Sequence, residues 1–412
     1  MQSMMEHQAL TEKGEKMKVR KLAEKYKEQV IDWRREFHEN PELSWEEIRT
    51  AERVREELVK MNIEVRRVAK TGILGILKGD KPGKTVALRA DMDALPIKEA
   101  NDISYKSKNE GVMHACGHDG HTAMLLGAAK ILSLMKDEIE GTIIFIFQPA
   151  EEMGQGAAKM IEEGALEGVD AILGIHLWAD LASGKVSLEP GPRMASTDRF
   201  KIAIRGKGGH GSMPHQGVDA IVAASAVVMN LQSIVSREIN PLEPVVVSIG
   251  KFNGGERYNI ISEEVLMEGT TRCFNSQVRD KFPTIIKRMV EETTNAYRAK
   301  GELEYIFGHP SVINDPRISQ IASRAVTDNF GEESVVKIEK VTGGEDFSFY
   351  LQKVPGVMAF VGARNESKGA MFPHHHKKFN IDEDALVVGT TLYSQFALDF
   401  LSGGGETIFD QT

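Results

Sequence analysis

The chain has 412 residues, 41% hydrophobic and 27% charged, which excludes a disordered chain because enough apolar side chains are present to offset the entropy of ordering. Fifty-one basic residues against 60 acidic ones give a net charge of −9, with no basic run suited to a phosphate backbone. The most apolar stretches, 142–147 and 220–229, fall short of the ~20 residues that a membrane-spanning helix needs.

The length predicts two or three domains at roughly 150 residues each. Two cysteines, Cys116 and Cys273, cannot form a disulfide framework, and the polar N-terminus lacks the apolar core of a signal peptide. The expected location is cytoplasmic, with neither nucleic acid nor membrane as a partner. Helical patterns cover 18–35 and 45–61, and Ser44 with Glu47 reads as a capping box for the second. Short runs rich in Val and Ile at 85–88, 142–147, 171–175 and 356–361 read as buried strands, with helices near 120–135 and 155–163 between them. This alternation predicts an α/β fold with an open, mostly parallel sheet.

Residues 192–307 break the rhythm. Their order β-α-β-β-α-β is that of the ferredoxin-like unit, bounded by Pro190-Gly191-Pro192 and Gly308-His309-Pro310. The expected organisation is a discontinuous domain, 18–191 plus 308–403, into which 192–307 is inserted as an α+β domain. Residues 1–17 and 404–412 read as tails.

The chemistry follows the strands. The run at 85–88 leads into Asp91-Met92-Asp93, that at 142–147 into Pro149-Ala150-Glu151-Glu152, and that at 171–175 into His176. Ligands of open α/β sheets bind beyond the carboxyl ends of the strands. Two further clusters, His114-Ala115-Cys116-Gly117-His118 and His374-His375-His376, supply ligand types suited to zinc or a similar ion. Taken singly, each has a bland explanation: a capping histidine, a surface acidic pair, an inert thiol. Their joint occurrence at strand ends points to a metal site.

At HACGHDGH, RADMDALPI, QPAEE, GIHLW, KGGHGSMPH, TGGEDFSFY and HHHKKFNIDE, motifs that come in family order along the chain, the chain resembles the metal-dependent aminoacylases and amino-acid amidohydrolases. These include hippurate hydrolases, related carboxypeptidases and plant auxin-conjugate hydrolases. The resemblance implies an α/β catalytic domain with an inserted lid or dimerisation domain, and a homo-oligomer, dimer or tetramer, formed through the insertion. It implies one or two divalent ions per subunit held by Cys116, His118, Glu152, His176 and His375. Zinc is the first expectation, with manganese, cobalt or nickel as alternatives, and His374 or His376 remains open in place of His375. Glu151 is implied as general base, with Asp93 orienting a ligand, and His210, Asn259, Arg272 and Gly344 as substrate contacts. The implied reaction is hydrolysis of the amide bond of an N-acyl amino acid or short peptide by metal-activated water. Competing readings are an aminopeptidase with a similar centre, a cysteine hydrolase using Cys116, and a binding protein with a structural metal.

Overall fold

Residues 18–403 are described by a computed structural model; the expected tails, 1–17 and 404–412, lie outside the described residues. The opening helical pattern is interrupted at Tyr26 and resumes as α1 (Lys27–Glu39). Helix α2 (Ile48–Lys60) begins later than the sequence pattern suggests. Its Ala51, Val54 and Leu58 recur at helical spacing and are buried, and the helix packs on a hairpin of β1 (Glu64–Val68) and β2 (Gly72–Lys78). The apolar-run criterion passes over this hairpin because Gly72 and Gly75 dilute the run.

The chain continues as β3 (Lys81–Asp91), α3 (His118–Leu134), β4 (Glu140–Gln148), α4 (Gly156–Glu162), β5 (Ala171–Ala182) and β6 (Val186–Ser187). There follow β7 (Asp198–Arg205), β8 (Gly209–His210), α5 (Ala220–Ser233), β9 (Val245–Gly254), β10 (Ile260–Ile261), β11 (Glu264–Cys273), α6 (Ser276–Ala296) and β12 (Lys300–Ile306). The last elements are α7 (Pro316–Phe330), β13 (Gly356–Arg364) and α8 (Ala385–Leu401).

These elements fall into two units. The first runs to Gly191 and includes Ile313–Glu339 and the described chain from Phe349. Its seven-stranded sheet has the order β1-β2-β4-β3-β5-β13-β6. The four strands β4, β3, β5 and β13 are parallel, and β1, β2 and β6 join antiparallel at the two edges. The parallel strands are buried on both faces, which is why they read as unbroken Val/Ile/Ala runs. Helices α3 and α8 pack on each other and on β3, and both are almost wholly buried. Strand β5 does not stop at Ile175: it runs through His176, which lies in register with Phe360 of β13. His176 therefore projects from within a strand, paired there with β13, two residues beyond the last registered pairing of β5 with β3 at Gly174.

The second unit comprises Pro192–Val312 with Lys340–Ser348, so the segment carrying Gly344 clusters here and not with the flanking α/β chain. Its antiparallel sheet has the order β9-β11-β7-β12, the ferredoxin-like arrangement. Phe200, Ile202, Ile204, Val265 and Met267 alternate onto the face covered by α5 and α6. The other face carries exposed ion pairs such as Arg205–Glu302 at 2.8 Å and Lys251–Glu268 at 2.6 Å. The stretch Ala220–Glu238 is long and apolar enough by composition to cross a membrane, which corrects the shorter run counted from the sequence. In this fold it lays Ala223, Ala224, Val227 and Leu231 into the core of the unit.

Candidate metal centre

The turn after β4 is built on a strained residue. Ala150 has φ +53°, a left-handed conformation that costs a non-glycine residue roughly 1–2 kcal/mol. Two buried carboxylates hold it there. Glu47 Oε1 accepts from the Ala150 amide at 2.9 Å. Asp93 Oδ1 accepts from the Glu151 amide at 3.1 Å, and its Oδ2 accepts from the Glu152 amide at 3.0 Å. Ser44 Oγ donates to Asp93 Oδ2 at 2.6 Å, and Thr71 Oγ1 donates to Glu47 Oε2 at 2.7 Å. The expected capping box is therefore absent: Ser44 and Glu47 serve this turn, and the first-turn amides of α2 are met instead by Glu42, whose Oε1 accepts from Arg49 at 3.0 Å and whose Oε2 accepts from Thr50 at 2.8 Å. On the far side of the turn, Gly156 is required by close approach, since a Cβ there would lie 1.6 Å from Pro149 O.

Hydrogen bonds select the histidine tautomers. His118 Nδ1 donates to the carbonyl of Asp93 at 2.9 Å, and His176 Nδ1 donates to the carbonyl of Leu177 at 2.8 Å. With Nδ1 so engaged, each ring keeps Nε2 for the centre, the nitrogen through which its neutral form would bind a metal. His121 cannot do so: its Nδ1 donates to Asp91 Oδ1 at 2.6 Å and its Nε2 accepts from the Leu177 amide at 2.8 Å. The same bookkeeping separates the triple histidine. His374 Nε2 accepts from the Ala179 amide at 3.0 Å, its buried Nδ1 has no hydrogen-bond partner among the described residues, and the ring joins none of the close donor groups. His376 is half-buried and stacked on Phe372 with ring centroids 4.7 Å apart, and its Nδ1 accepts from the Lys378 amide at 3.1 Å. His375, at φ +62° and with its amide donating to the carbonyl of Ala115, brings Nε2 to 3.6 Å from Glu152 Oε1.

The expected ligands meet. Cys116, His118 and His176 form one group whose donor atoms lie within 4.8 Å of one another, and Cys116, Glu152 and His375 form another. The Cys116 thiol is common to both groups, 3.6 Å from His176 Nε2. His118 Nε2 also lies 4.0 Å from Glu151 Oε2 and 3.9 Å from Glu152 Oε1.

The electrostatics fit a cation. Burial, with Asp93 and Asp91 nearby, pushes the Glu152 carboxyl up to about 7. Burial and the Glu152 charge push the Cys116 thiol well up. Burial, with His121 and His374 beside it, holds His176 well below the usual imidazole range. Burial opposes charge on His118 too, but Asp91 and a hydrogen bond to Asp93 carry it well above that range. Among the described residues, His118 Nε2 and Glu152 Oε1 are buried without a hydrogen-bond partner. Orphaned donors of this kind are costly unless something binds them. One thiol, imidazole nitrogens and carboxylates aimed at two adjoining points suit one or two divalent ions.

Behind this centre lies a buried charge network. Arg34, fully buried, donates to Asp119 Oδ2 at 2.8 Å and to Asn380 Oδ1 at 2.9 Å. His38 bridges Asp119 Oδ2 at 2.8 Å and Glu99 Oε1 at 3.2 Å. The network fixes Asp119 and, through the chain, the first turn of α3, where His118 stands.

In the second unit the four expected substrate contacts form two pairs. His210 of β8 opposes Ile260 of β10, and the neighbouring Gly211 amide donates to Asn259 O at 2.9 Å. Arg272 Nη1 donates to Thr197 Oγ1 at 2.8 Å and to Thr342 O at 3.1 Å, and Gly344 lies against the same Thr197. Burial lowers the Arg272 pKa, and no ion-pair partner for Arg272 occurs among the described residues. No hydrogen bond or ion pair joins the two pairs among those residues.

Residues 87–399 match Peptidase family M20/M25/M40. The chain is 44% identical over 391 residues to Thermostable carboxypeptidase 2 of Saccharolobus solfataricus, covering 93% of this chain and 98% of that protein. It is 48% identical over 317 residues to an N-acyl-L-amino acid amidohydrolase of Geobacillus stearothermophilus, covering 76% of this chain and 86% of that one. The crystal structure of a dinuclear metal-binding peptidase of the M20 family from Bacillus subtilis superimposes with a TM-score of 0.82 at 37% identity, covering 92% of this chain and 99% of that one. The shared thiol, the orphaned donors and these likenesses converge: the chain belongs to the M20/M25/M40 peptidase family and is a metal-dependent amidohydrolase or peptidase.

Proposed function

We propose that this enzyme hydrolyses the amide bond of N-acyl amino acids or short peptides at their carboxyl-terminal residue. The observation that carries the reading is the Cys116 thiol shared by two donor groups, with Glu151 beside them. His118 and His176 would hold one ion and Glu152 and His375 the other, with Cys116 between them. Zinc suits this mixture of sulfur, nitrogen and oxygen donors. Bound divalent ions would polarise the scissile carbonyl and lower the pKa of water toward ~7.

The chain's own residues supply the rest. Glu151 takes a proton from the attacking water and returns it to the departing nitrogen. Asp93 fixes the backbone of both glutamates, so that one side chain coordinates while its neighbour moves protons. In the second unit, Arg272 recognises a substrate carboxylate by charge-assisted hydrogen bonds, with the Gly344 segment beside it. His210 and Asn259 complete the recognition that the resemblance implies. The relatives named a carboxypeptidase and an N-acyl-L-amino acid amidohydrolase support a substrate of this class. A cysteine hydrolase needs a thiol pushed down, whereas burial pushes Cys116 up. A homo-oligomer through the second unit is supported by exposed Val222 and Met229 on α5 and is checked by light scattering.

Elemental analysis and hydrolysis of N-acyl amino acids, carboxyl-terminal peptides and amino-terminal peptides test the reading together. Glu151→Gln is expected to keep its metal and lose about 10²-fold or more in turnover. Glu152→Gln is expected to lose metal. Near-normal turnover in Glu151→Gln would refute the proton-transfer role, and preference for free amino-terminal peptides would favour an aminopeptidase.

A further inference from the structure

We propose that Glu47 is a positioning residue of the reaction, a clamp whose carboxylate holds the Ala150 amide so that Glu151 and Glu152 point where the metal centre needs them. The inference rests on the roles given above to those two glutamates. Glu47 is fully buried and lies 103 residues upstream of Ala150 in the turn it holds. Its Oε1 accepts both from the Ala150 amide at 2.9 Å and from the Trp45 amide at 3.0 Å, and its Oε2 accepts from Thr71 Oγ1 at 2.7 Å. All these partners are donors, so the carboxylate cannot turn to a different set without losing at least one.

The need for a clamp is visible in the backbone. Ala150 sits at φ +53° and is wholly buried, in a conformation that an alanine leaves when nothing holds it. The next two amides are tied to Asp93, so three successive N–H groups are bound by two carboxylates from two distant segments. Asp93 alone fixes residues 151 and 152 relative to one another. Glu47 fixes the hinge from which both depart, and through Trp45 and Thr71 it anchors that hinge to the start of α2 and to the turn before β2. Without the Glu47 acceptor, residue 150 relaxes toward negative φ and the direction of both following side chains changes.

The test uses the full-length protein stripped by chelation and titrated with Zn²⁺ against a chromophoric competitor, together with kcat and KM of the reloaded enzyme. Glu47→Ala is expected to weaken the weaker zinc site about 10- to 100-fold, as loss of an outer hydrogen-bond partner commonly does, and to lower kcat by a similar factor with KM little changed. Glu47→Gln keeps an acceptor for the Ala150 amide and is expected to restore both. Ala150→Gly in the Glu47→Ala background removes the conformational penalty and is expected to recover part of the zinc affinity. A merely structural glutamate would lower the melting temperature while leaving zinc affinity and kcat of the folded protein intact, and that result overturns the proposal. So does rapid hydrogen exchange of the Ala150 amide in the unsubstituted protein, a measurement that does not depend on how any variant folds. The zinc titration uses no substrate, so absence of amide hydrolysis in the unsubstituted enzyme would count against the proposed reaction and not against the clamp.

Discussion

Gly156→Ala is the substitution whose effect follows most directly from the coordinates. A Cβ at Gly156 would lie 1.6 Å from Pro149 O and 2.8 Å from Gln148 Nε2, whereas real Cβ contacts stay above 3.0 Å. The carbonyl is backbone and cannot swing aside, so the turn or the start of α4 must move by at least 1.4 Å. The Gly156 amide also donates to Ala150 O at 3.2 Å, which passes the displacement to the residue before Glu151. The bonds from the Glu151 and Glu152 amides to Asp93, now 3.1 and 3.0 Å, would stretch or break. Hydrogen bonds to charged groups contribute about 1.5–3 kcal/mol each, so loss of one or two lowers stability by about 3 kcal/mol. A misplacement near 1 Å at the reacting groups costs about 10²-fold in rate. The assay is turnover on an N-acyl amino acid with zinc per chain and melting temperature measured in parallel. Gly250→Ala, where a Cβ meets nothing within 4 Å, is the matched control and should change neither rate nor melting. Turnover within about threefold of the parent, with unchanged melting, would refute the argument that this contact holds the turn.

Other outcomes follow from the same geometry. His375→Ala should reduce bound metal by up to one ion per chain while His376→Ala leaves it unchanged, because only His375 of that pair approaches Glu152; equal loss in both would reverse the assignment. Arg34→Met should destabilise the chelated protein by roughly 3–5 kcal/mol in urea unfolding, since Asp119 stays buried without its guanidinium partner. The effect of acid on His114 has a definite sign. Burial lowers its pKa to about 4, so between pH 6.5 and 4 the unfolded chain takes a proton that the fold refuses, and stability falls as pH falls. His114→Phe should therefore lose up to about 3 kcal/mol less than the parent over that window, and an identical slope would exclude the contribution. His38 works the other way: despite burial and Arg34, hydrogen bonds to Asp119 and Glu99 raise its pKa, so its contribution is present below 6.5 and fades as pH rises through the folded value.

Strand-end chemistry was the legible part of the site, because buried parallel strands announce themselves as apolar runs and the residues after them must lie at one edge of the sheet. The pattern Ser44-x-x-Glu47 was misleading for a physical reason. A serine and a glutamate three apart can satisfy the first turn of a helix or reach across the fold, and local spacing does not distinguish the two. Here both side chains bind the turn and its carboxylate support. The triple histidine could not be resolved from spacing either. What separates its members is that the Ala179 amide occupies one ring nitrogen of His374, a contact between residues nearly two hundred positions apart. His121 stands in the same cluster as His118 but is consumed by Asp91 and Leu177, which only the fold reveals.

Cys116, Glu152 and His176 precede the inserted unit in the chain, whereas His375 follows it. On the ribosome the first three emerge long before the fourth, and the whole inserted unit must be translated in between. A nascent chain can thus collect the donors of one group early, but the group that includes His375 cannot assemble until translation is nearly finished. Loading of the complete centre is in this sense a late event in the life of the polypeptide, and a chain truncated before residue 375 would lack both that donor and helix α8, which covers β3.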